Sequence, residues 1–109
     1  MTTITIYKSN EGNYTRFTCE GHSGFAESGY DIVCASISIL VINTINSLDS
    51  LVNEEMKVEE NSEDGYIDCK FIQKIDDRSK LLMDSMILGL QTIASEYGKK
   101  YLRLKFKEV

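Results

Sequence analysis

The sequence predicts an α+β fold: a two-layer sandwich in the order ββαββαβ, with a mixed sheet of about five strands covered by two helices. Two observations predict it. Five short segments alternate apolar and polar residues as half-buried strands do, and two long segments repeat apolar residues at the helical period. Because 109 residues fit one domain, we expect a single domain over residues 1–109.

The strands are predicted as two hairpins and a final strand. TITIYK and NYTRFTCE alternate on either side of the turn SNEG, and MKVEE and YIDCKFI lie on either side of NSEDG. The closing segment KKYLRLKFKEV alternates again. The apolar residues expected to point inward are Ile4, Ile6, Phe17, Cys19, Ile67, Cys69, Phe71, Leu102, Leu104 and Phe106.

Two helices are predicted, over roughly residues 31–53 and 77–97. The first is apolar on most of its sides, so we expect it to be buried between the sheet and another body, such as a second copy of the chain. Asp76 or Asp77 is a candidate N-cap of the second helix, and Gly98 is a candidate C′ residue. The expected core residues are Ile37, Val41, Ile45, Leu48 and Val52 in the first helix and Leu82, Met86, Leu90, Ile93 and Tyr97 in the second.

Composition argues against several classes of protein. The net charge is −5, and the basic residues near the C-terminus alternate along a strand, so we expect a solvated sheet face and no direct contact with nucleic acid. MTTITIYKSN lacks the features of a signal peptide, and the longest apolar run, over 37–42, is too short to span a bilayer. We therefore expect a cytoplasmic protein without membrane contact. Three dispersed cysteines and one histidine predict neither disulfides nor a metal site, and no cofactor is expected.

The segment GHSGFAESGYDIVCASISIL, residues 21–40, carries the candidate chemistry. If Asp31 caps the first helix, Cys34 lies at N3, where unpaired amides and the helix dipole favour a thiolate nucleophile and could stabilise an oxyanion. A strand that feeds a helix on the same sheet must turn back, which would bring His22 towards Cys34 as its acid and base. A structural cysteine beside a loop histidine is the alternative.

Other polar residues of this segment have two interpretations each. Asp31 is either the N-cap or a third catalytic member that orients His22. Ser38 lies one turn after Cys34 and either assists the site or bonds back to its own helix. Cys19 and Cys69, on the apolar faces of strands, are expected to be inert core residues.

The connection over residues 21–30 is predicted to be a mobile loop, which serves either as a lid over substrate or as an ordinary strand-to-helix connection. Its glycines are Gly21, Gly24 and Gly29. Phe25 and Tyr30 are the candidates to touch an apolar substrate.

Gly21-His22, Gly29, the DIVCA string that contains Cys34, and Ser38 resemble the signature of the ribosomal-processing cysteine protease family, Prp. The LQTIASEYG segment extends the resemblance towards the C-terminus. The resemblance implies a cytosolic, homodimeric cysteine endopeptidase with His22 and Cys34 as its dyad. It also implies the substrate, which is the N-terminal extension of the twenty-seventh protein of the large ribosomal subunit.

Two rival functions stay open. A non-catalytic ribosome-assembly module would use the same loop for binding and would release no product. A thiol redox sensor would need a resolving cysteine near Cys34, whereas Cys19 and Cys69 are expected to be buried on strands.

Overall fold

A computed structural model describes residues 1–21, 28–61, 65–98 and 100–109, with residues 28–31 described by their backbone alone. Its elements are β1 (Thr2–Lys8), β2 (Tyr14–Gly21), α1 (Ser28–Ser50), β3 (Met56–Asn61), β4 (Tyr66–Phe71), α2 (Asp77–Tyr97) and β5 (Leu102–Glu108). The predicted α+β class and the ββαββαβ order are confirmed.

The five strands form one mixed sheet in the order β3-β4-β2-β1-β5. The pairs β1–β2, β2–β4 and β3–β4 are antiparallel, and β1–β5 is parallel. Ile4 is paired with Cys19 on one side and Leu104 on the other. Because paired residues point to the same side of a sheet, such rows produce one apolar face, and the two helices cover it.

The core lies between that apolar face and the inward sides of α1 and α2. Its fully buried large side chains come from β1, β2, β4, β5 and both helices, so every layer contributes to a single cluster. They are Ile4, Ile6, Phe17, Val33, Ile37, Val41, Leu48, Cys69, Met83, Met86, Leu90 and Leu102.

Helix α1 has different ends from those predicted. It begins at Ser28 rather than near Asp31, so the prediction of Asp31 as the N-cap is wrong: Asp31 is the fourth helical residue. It ends at Ser50 rather than at Asn53, which adopts a left-handed φ of 53°. After the helix ends, the Glu54 N–H donates to the Leu48 carbonyl over 2.9 Å. This bond closes one irregular turn that leads the chain out of α1.

Helix α2 has the predicted ends. The Asp76 carboxylate accepts hydrogen bonds from the Arg78 N–H (3.0 Å) and the Ser79 N–H (3.3 Å). These bonds satisfy amides that have no partner within the helix. Gly98 has a φ of 88°, a conformation that glycine adopts without strain, and its N–H donates to the Ala94 carbonyl over 2.9 Å.

Two residues predicted to be inward are exposed. Tyr97, in the last turn of α2, is 44% exposed, and Phe106 on β5 is 52% exposed. Phe106 is paired with Ile6 and so shares its face, but β5 is an edge strand. Its outer neighbours are therefore solvent rather than another strand.

Residues Ile32–Ser50 of α1 are long and apolar enough, by length and composition alone, to cross a membrane. The central helix of a small sandwich has the same composition. Val33, Ile37, Val41 and Leu48 are fully buried in the core, whereas Ile32, Ile39 and Ile42 are exposed, so the core covers only part of this apolar span.

Candidate active site

Cys34 is half-buried and lines a cavity of about 200 Å³ between α1 and the sheet. The cavity is bounded by α1, by the start of β1, by the end of β2, and by the β3–β4 hairpin. Its lining residues are Thr2, Cys19, Gly21, Cys34, Ile37, Ser38, Val41, Glu60, Asn61, Gly65, Tyr66 and Ile67.

Helix α1 forms one wall of this cavity. Cys34 and Ser38, one turn apart, both line it, as the helical spacing predicts. Ser38 is exposed, and its hydroxyl makes no hydrogen bond to another residue that the structure describes. Ser36, on another side of the helix, bonds back to the Ile32 carbonyl over 2.9 Å.

Gly21 belongs to the sheet side of the cavity rather than to a loop. It is the last residue of β2, it is paired with Thr2, and its N–H donates to the Gly65 carbonyl over 3.2 Å. A Cβ at this position would lie 2.6 Å from the Thr2 Cα. Glycine is therefore required here by the close approach of β1. The assignment of Gly21 to a loop is wrong, whereas its contact with substrate stays a prediction.

The β3–β4 hairpin supplies cavity residues that the sequence does not predict. Glu60, Asn61 and Tyr66 line the cavity opposite Cys34 although they lie more than twenty residues after it. Glu60 is paired with Ile67, and Ile67 is paired with Cys19, so the strand register carries the Glu60 side chain to the helix-covered face. No local signal in the sequence marks this position, because only the pairing of three strands brings it to the cavity.

The other two cysteines are buried, as predicted. Burial raises the pKa of Cys19 to about 11, with a smaller contribution from the nearby Cys34, and burial raises the pKa of Cys69 to about 12. Both groups are protonated thiols at neutral pH. Cys19 nevertheless lines the same cavity as Cys34, so a thiol can be buried on a strand and still lie near Cys34.

Several predicted site residues lie outside the described residues, among them His22, Gly24 and Phe25. Gly29, Tyr30 and Asp31 are helical residues of α1, not loop residues, and only their backbone is described. Of the predicted loop over 21–30, Gly21 thus belongs to β2 and residues 28–30 belong to α1.

The start of α1 at Ser28 also changes the electrostatic argument for Cys34. Cys34 is the seventh helical residue rather than the third. The unpaired amides belong to the first four residues of a helix, and the dipole effect falls off within the first turn. Activation of the thiol by the helix end is therefore weaker than the sequence predicts.

The arrangement is suited to nucleophilic chemistry on a bound ligand. A half-buried thiol opens into a cavity with an apolar floor, formed by residues such as Ile37 and Val41, and a polar rim that includes Glu60 and Asn61. Cavities that fix a ligand with apolar walls and a few polar groups are typical of binding and catalytic sites.

Comparison with known proteins identifies the family. The family model described as cysteine protease Prp matches residues 1–102. The ribosomal processing cysteine protease Prp of Staphylococcus aureus is 30% identical over 107 residues, which cover 98% of this chain and all of that protein.

Two solved structures have the same fold. The S. aureus protease Prp in complex with a substrate peptide superposes with a TM-score of 0.90 at 29% identity, and covers 98% of this chain and 100% of that one. Its complex with a covalently linked product peptide gives 0.87 at 30% identity, with the same coverage. The chain that positions Cys34 in this cavity therefore belongs to the Prp family of cysteine proteases.

Proposed function

We propose that this cysteine protease removes the N-terminal extension of a large-subunit ribosomal protein, the twenty-seventh, during ribosome maturation. The observation that carries the proposal is the half-buried Cys34 thiol facing a cavity large enough for a side chain of a bound peptide. The S. aureus relative supports it, since that protein is a ribosomal processing protease that binds a substrate peptide.

In the proposed reaction, the Cys34 thiolate attacks the carbonyl carbon of the scissile peptide bond. His22 holds the thiolate as an ion pair and then gives a proton to the leaving amine, so that the C–N bond breaks and a thioester remains. Water, with His22 as base, hydrolyses the thioester and restores the thiol. Because Cys34 is one turn deeper in α1 than expected, His22 is the main source of activation.

Supporting residues are proposed on each side of the nucleophile. Ser38 borders the cavity one turn after Cys34 and has a hydroxyl available to a substrate carbonyl. Asp31 is proposed to orient His22, since the start of α1 leaves it without the capping role. Gly24, Phe25, Gly29 and Tyr30 are proposed to contact the extension on the substrate side.

We further propose that the enzyme is a cytoplasmic homodimer. Ile32 and Ile39, seven residues apart on α1, are 60% and 68% exposed, and Leu81 and Leu88 repeat this spacing on α2. A spacing of seven aligns these side chains along one side of each helix. A second copy of the chain would cover them.

The test is cleavage of the organism's own precursor, followed by intact-mass analysis. Wild type is expected to release the extension as one product. Cys34→Ala should release none, and Cys69→Ala should cut normally, because Cys69 is buried and lies outside the cavity. Normal cleavage by Cys34→Ala would overturn the nucleophile, and an intact precursor with the wild type would overturn the substrate.

The role of His22 needs its own variant. His22→Gln should lower kcat by about 10²-fold or more, the usual effect of a general acid–base group, and should remove the acidic limb of the pH profile of kcat/KM. An unchanged pH profile would exclude His22 as the acid and base while leaving the nucleophile intact.

A further inference from the structure

The face of the sheet turned away from the helices carries an unusual pattern of charge. We call it the open sheet face and define it by three rows of paired residues, one from each strand in the order β3-β4-β2-β1-β5. The rows are Lys57, Lys70, Arg16, Tyr7 and Lys107; Glu59, Asp68, Thr18, Thr5 and Lys105; and Asn61, Tyr66, Glu20, Thr3 and Arg103.

The open sheet face is basic although the chain is acidic. It holds six of the twelve Lys and Arg residues of the chain but three of its seventeen Asp and Glu residues. Its first row, which we call the basic row, aligns four cations and one tyrosine across all five strands. With neighbouring strands about 4.8 Å apart, the row spans about 19 Å.

Two of the acidic residues of this face pair with two cations of the basic row. Asp68 is buried and is bound by the guanidinium of Arg16, and Glu59 lies 3.4 Å from Lys57. Lys70 and Lys107 form no ion pair within the part of the chain that the structure describes, and both are exposed. These two lysines therefore lie on either side of the central strands without a described ion-pair partner.

The uncharged residues of the open sheet face indicate which class of anion it binds. None of the fifteen positions carries an aliphatic side chain, which disfavours insertion into a membrane. Tyr7 lies in the basic row and carries the Arg16 guanidinium 4.9 Å from its ring centroid. A sheet face that combines lysines with an aromatic ring matches single-stranded RNA, whose phosphates pair with cations and whose bases stack on rings.

We propose that the open sheet face binds single-stranded RNA, with Lys70 and Lys107 on the phosphates and a base stacked on the platform that Tyr7 and the Arg16 guanidinium form together. No residue of the basic row lines the cavity that holds Cys34, although Asn61 and Tyr66 of the third row do, so the proposed phosphate contacts lie outside that cavity. The inference is independent of the proposed substrate. The proposal differs from the expectation, drawn from the net charge of −5, that the protein does not contact nucleic acid. The net charge sums all faces of the molecule, whereas strand pairing places many of the basic residues on one face.

The test is fluorescence anisotropy with a labelled single-stranded RNA of mixed sequence, about 12 nucleotides long, at about 50 and 200 mM salt. The wild type is expected to bind with a Kd in the micromolar range at the lower salt. Lys70→Ala with Lys107→Ala should weaken binding about tenfold or more, and should reduce the slope of log K against log salt by about 1.4. Tyr7→Leu should weaken binding about fivefold without changing the slope.

The matched control is Arg78→Ala with Lys80→Ala, which removes the same charge from α2 on the other side of the molecule. It should bind RNA as the wild type does, and far-UV circular dichroism checks that all variants fold. The proposal is overturned if the wild type does not bind, if both double variants lose affinity equally, or if a polyglutamate peptide or a vesicle containing phosphatidylserine binds as tightly as the RNA.

Discussion

The guanidinium of Arg16 holds the Asp68 carboxylate in a two-pronged contact between neighbouring strands. Its Nε donates to Oδ1 over 2.8 Å and its Nη2 donates to Oδ2 over 2.7 Å. The contact lowers the pKa of Asp68, through the hydrogen bonds first and the nearby positive charge second. Such paired charges fix geometry as well as adding stability.

We expect Asp68→Asn to lower the free energy of unfolding at pH 7 by about 1.5–3 kcal/mol, the range for hydrogen bonds to charged groups. Because the pKa of Asp68 is lower in the folded state, its contribution is present above the unfolded value of about 3.9 and is lost as the pH falls through the folded pKa. Urea unfolding of both proteins at pH 7 and pH 3 should show the difference shrinking in acid.

The matched control for that experiment is Glu59→Gln, which removes an exposed carboxylate 3.4 Å from Lys57. Exposed pairs of this kind contribute about 0.2–1 kcal/mol. Equal stability of the wild type and Asp68→Asn at pH 7, or a difference that persists unchanged at pH 3, would contradict the assignment.

Gly21→Ala should destabilise the fold by about 1–3 kcal/mol, because the new Cβ would meet backbone atoms, at 2.6 Å from the Thr2 Cα and 2.9 Å from the Met1 carbonyl oxygen. Gly89→Ala is the contrast. Its Cβ would meet the movable end of Leu40 at 2.9 Å, and alanine favours a helix by about 1 kcal/mol over glycine. Thermal unfolding should rank Gly21→Ala clearly below Gly89→Ala, and the reverse order would refute the close approach of β1.

Brief treatment with iodoacetamide near neutral pH should modify Cys34 first. Its thiol is half-buried and faces the cavity, whereas burial raises the pKa of Cys19 to about 11 and that of Cys69 to about 12. The attacking species is the thiolate, which those two groups scarcely populate at this pH. Intact mass should show a single adduct that disappears in Cys34→Ala, and equal labelling of the three thiols would be inconsistent with this site.

Ile39→Glu should convert the proposed dimer into monomers, because it adds a charge to the exposed apolar side of α1. Ile72→Glu is the control, since Ile72 is similarly exposed (60%) but lies after β4, outside both helices. Light scattering after size-exclusion chromatography reports the molecular mass. A wild type that elutes as a monomer, or an Ile39→Glu protein that remains dimeric, would reject this interface.

The element order and much of the core could be predicted from the sequence because they follow from local periodicity. The alternation around Ile4 and Ile6 and the helical repeat through Ile37, Val41 and Leu48 are properties of short windows, and the structure buries these residues as predicted. The same holds for the ends of α2, since Asp76 and Gly98 act within one turn of the helix. The Gly-His and DIVCA strings likewise indicated the family, which the comparisons confirm.

Tertiary structure decided what local patterns do not contain. The start of α1 moved Cys34 from the third to the seventh helical position, and strand pairing brought Glu60, Asn61 and Tyr66 to the wall opposite it. Strand pairing also collected scattered lysines into one basic row on an acidic protein. The physical reason is common to all three: periodicity assigns a residue to a face, but only the register between distant strands, and the point where a helix begins, determine its neighbours on that face.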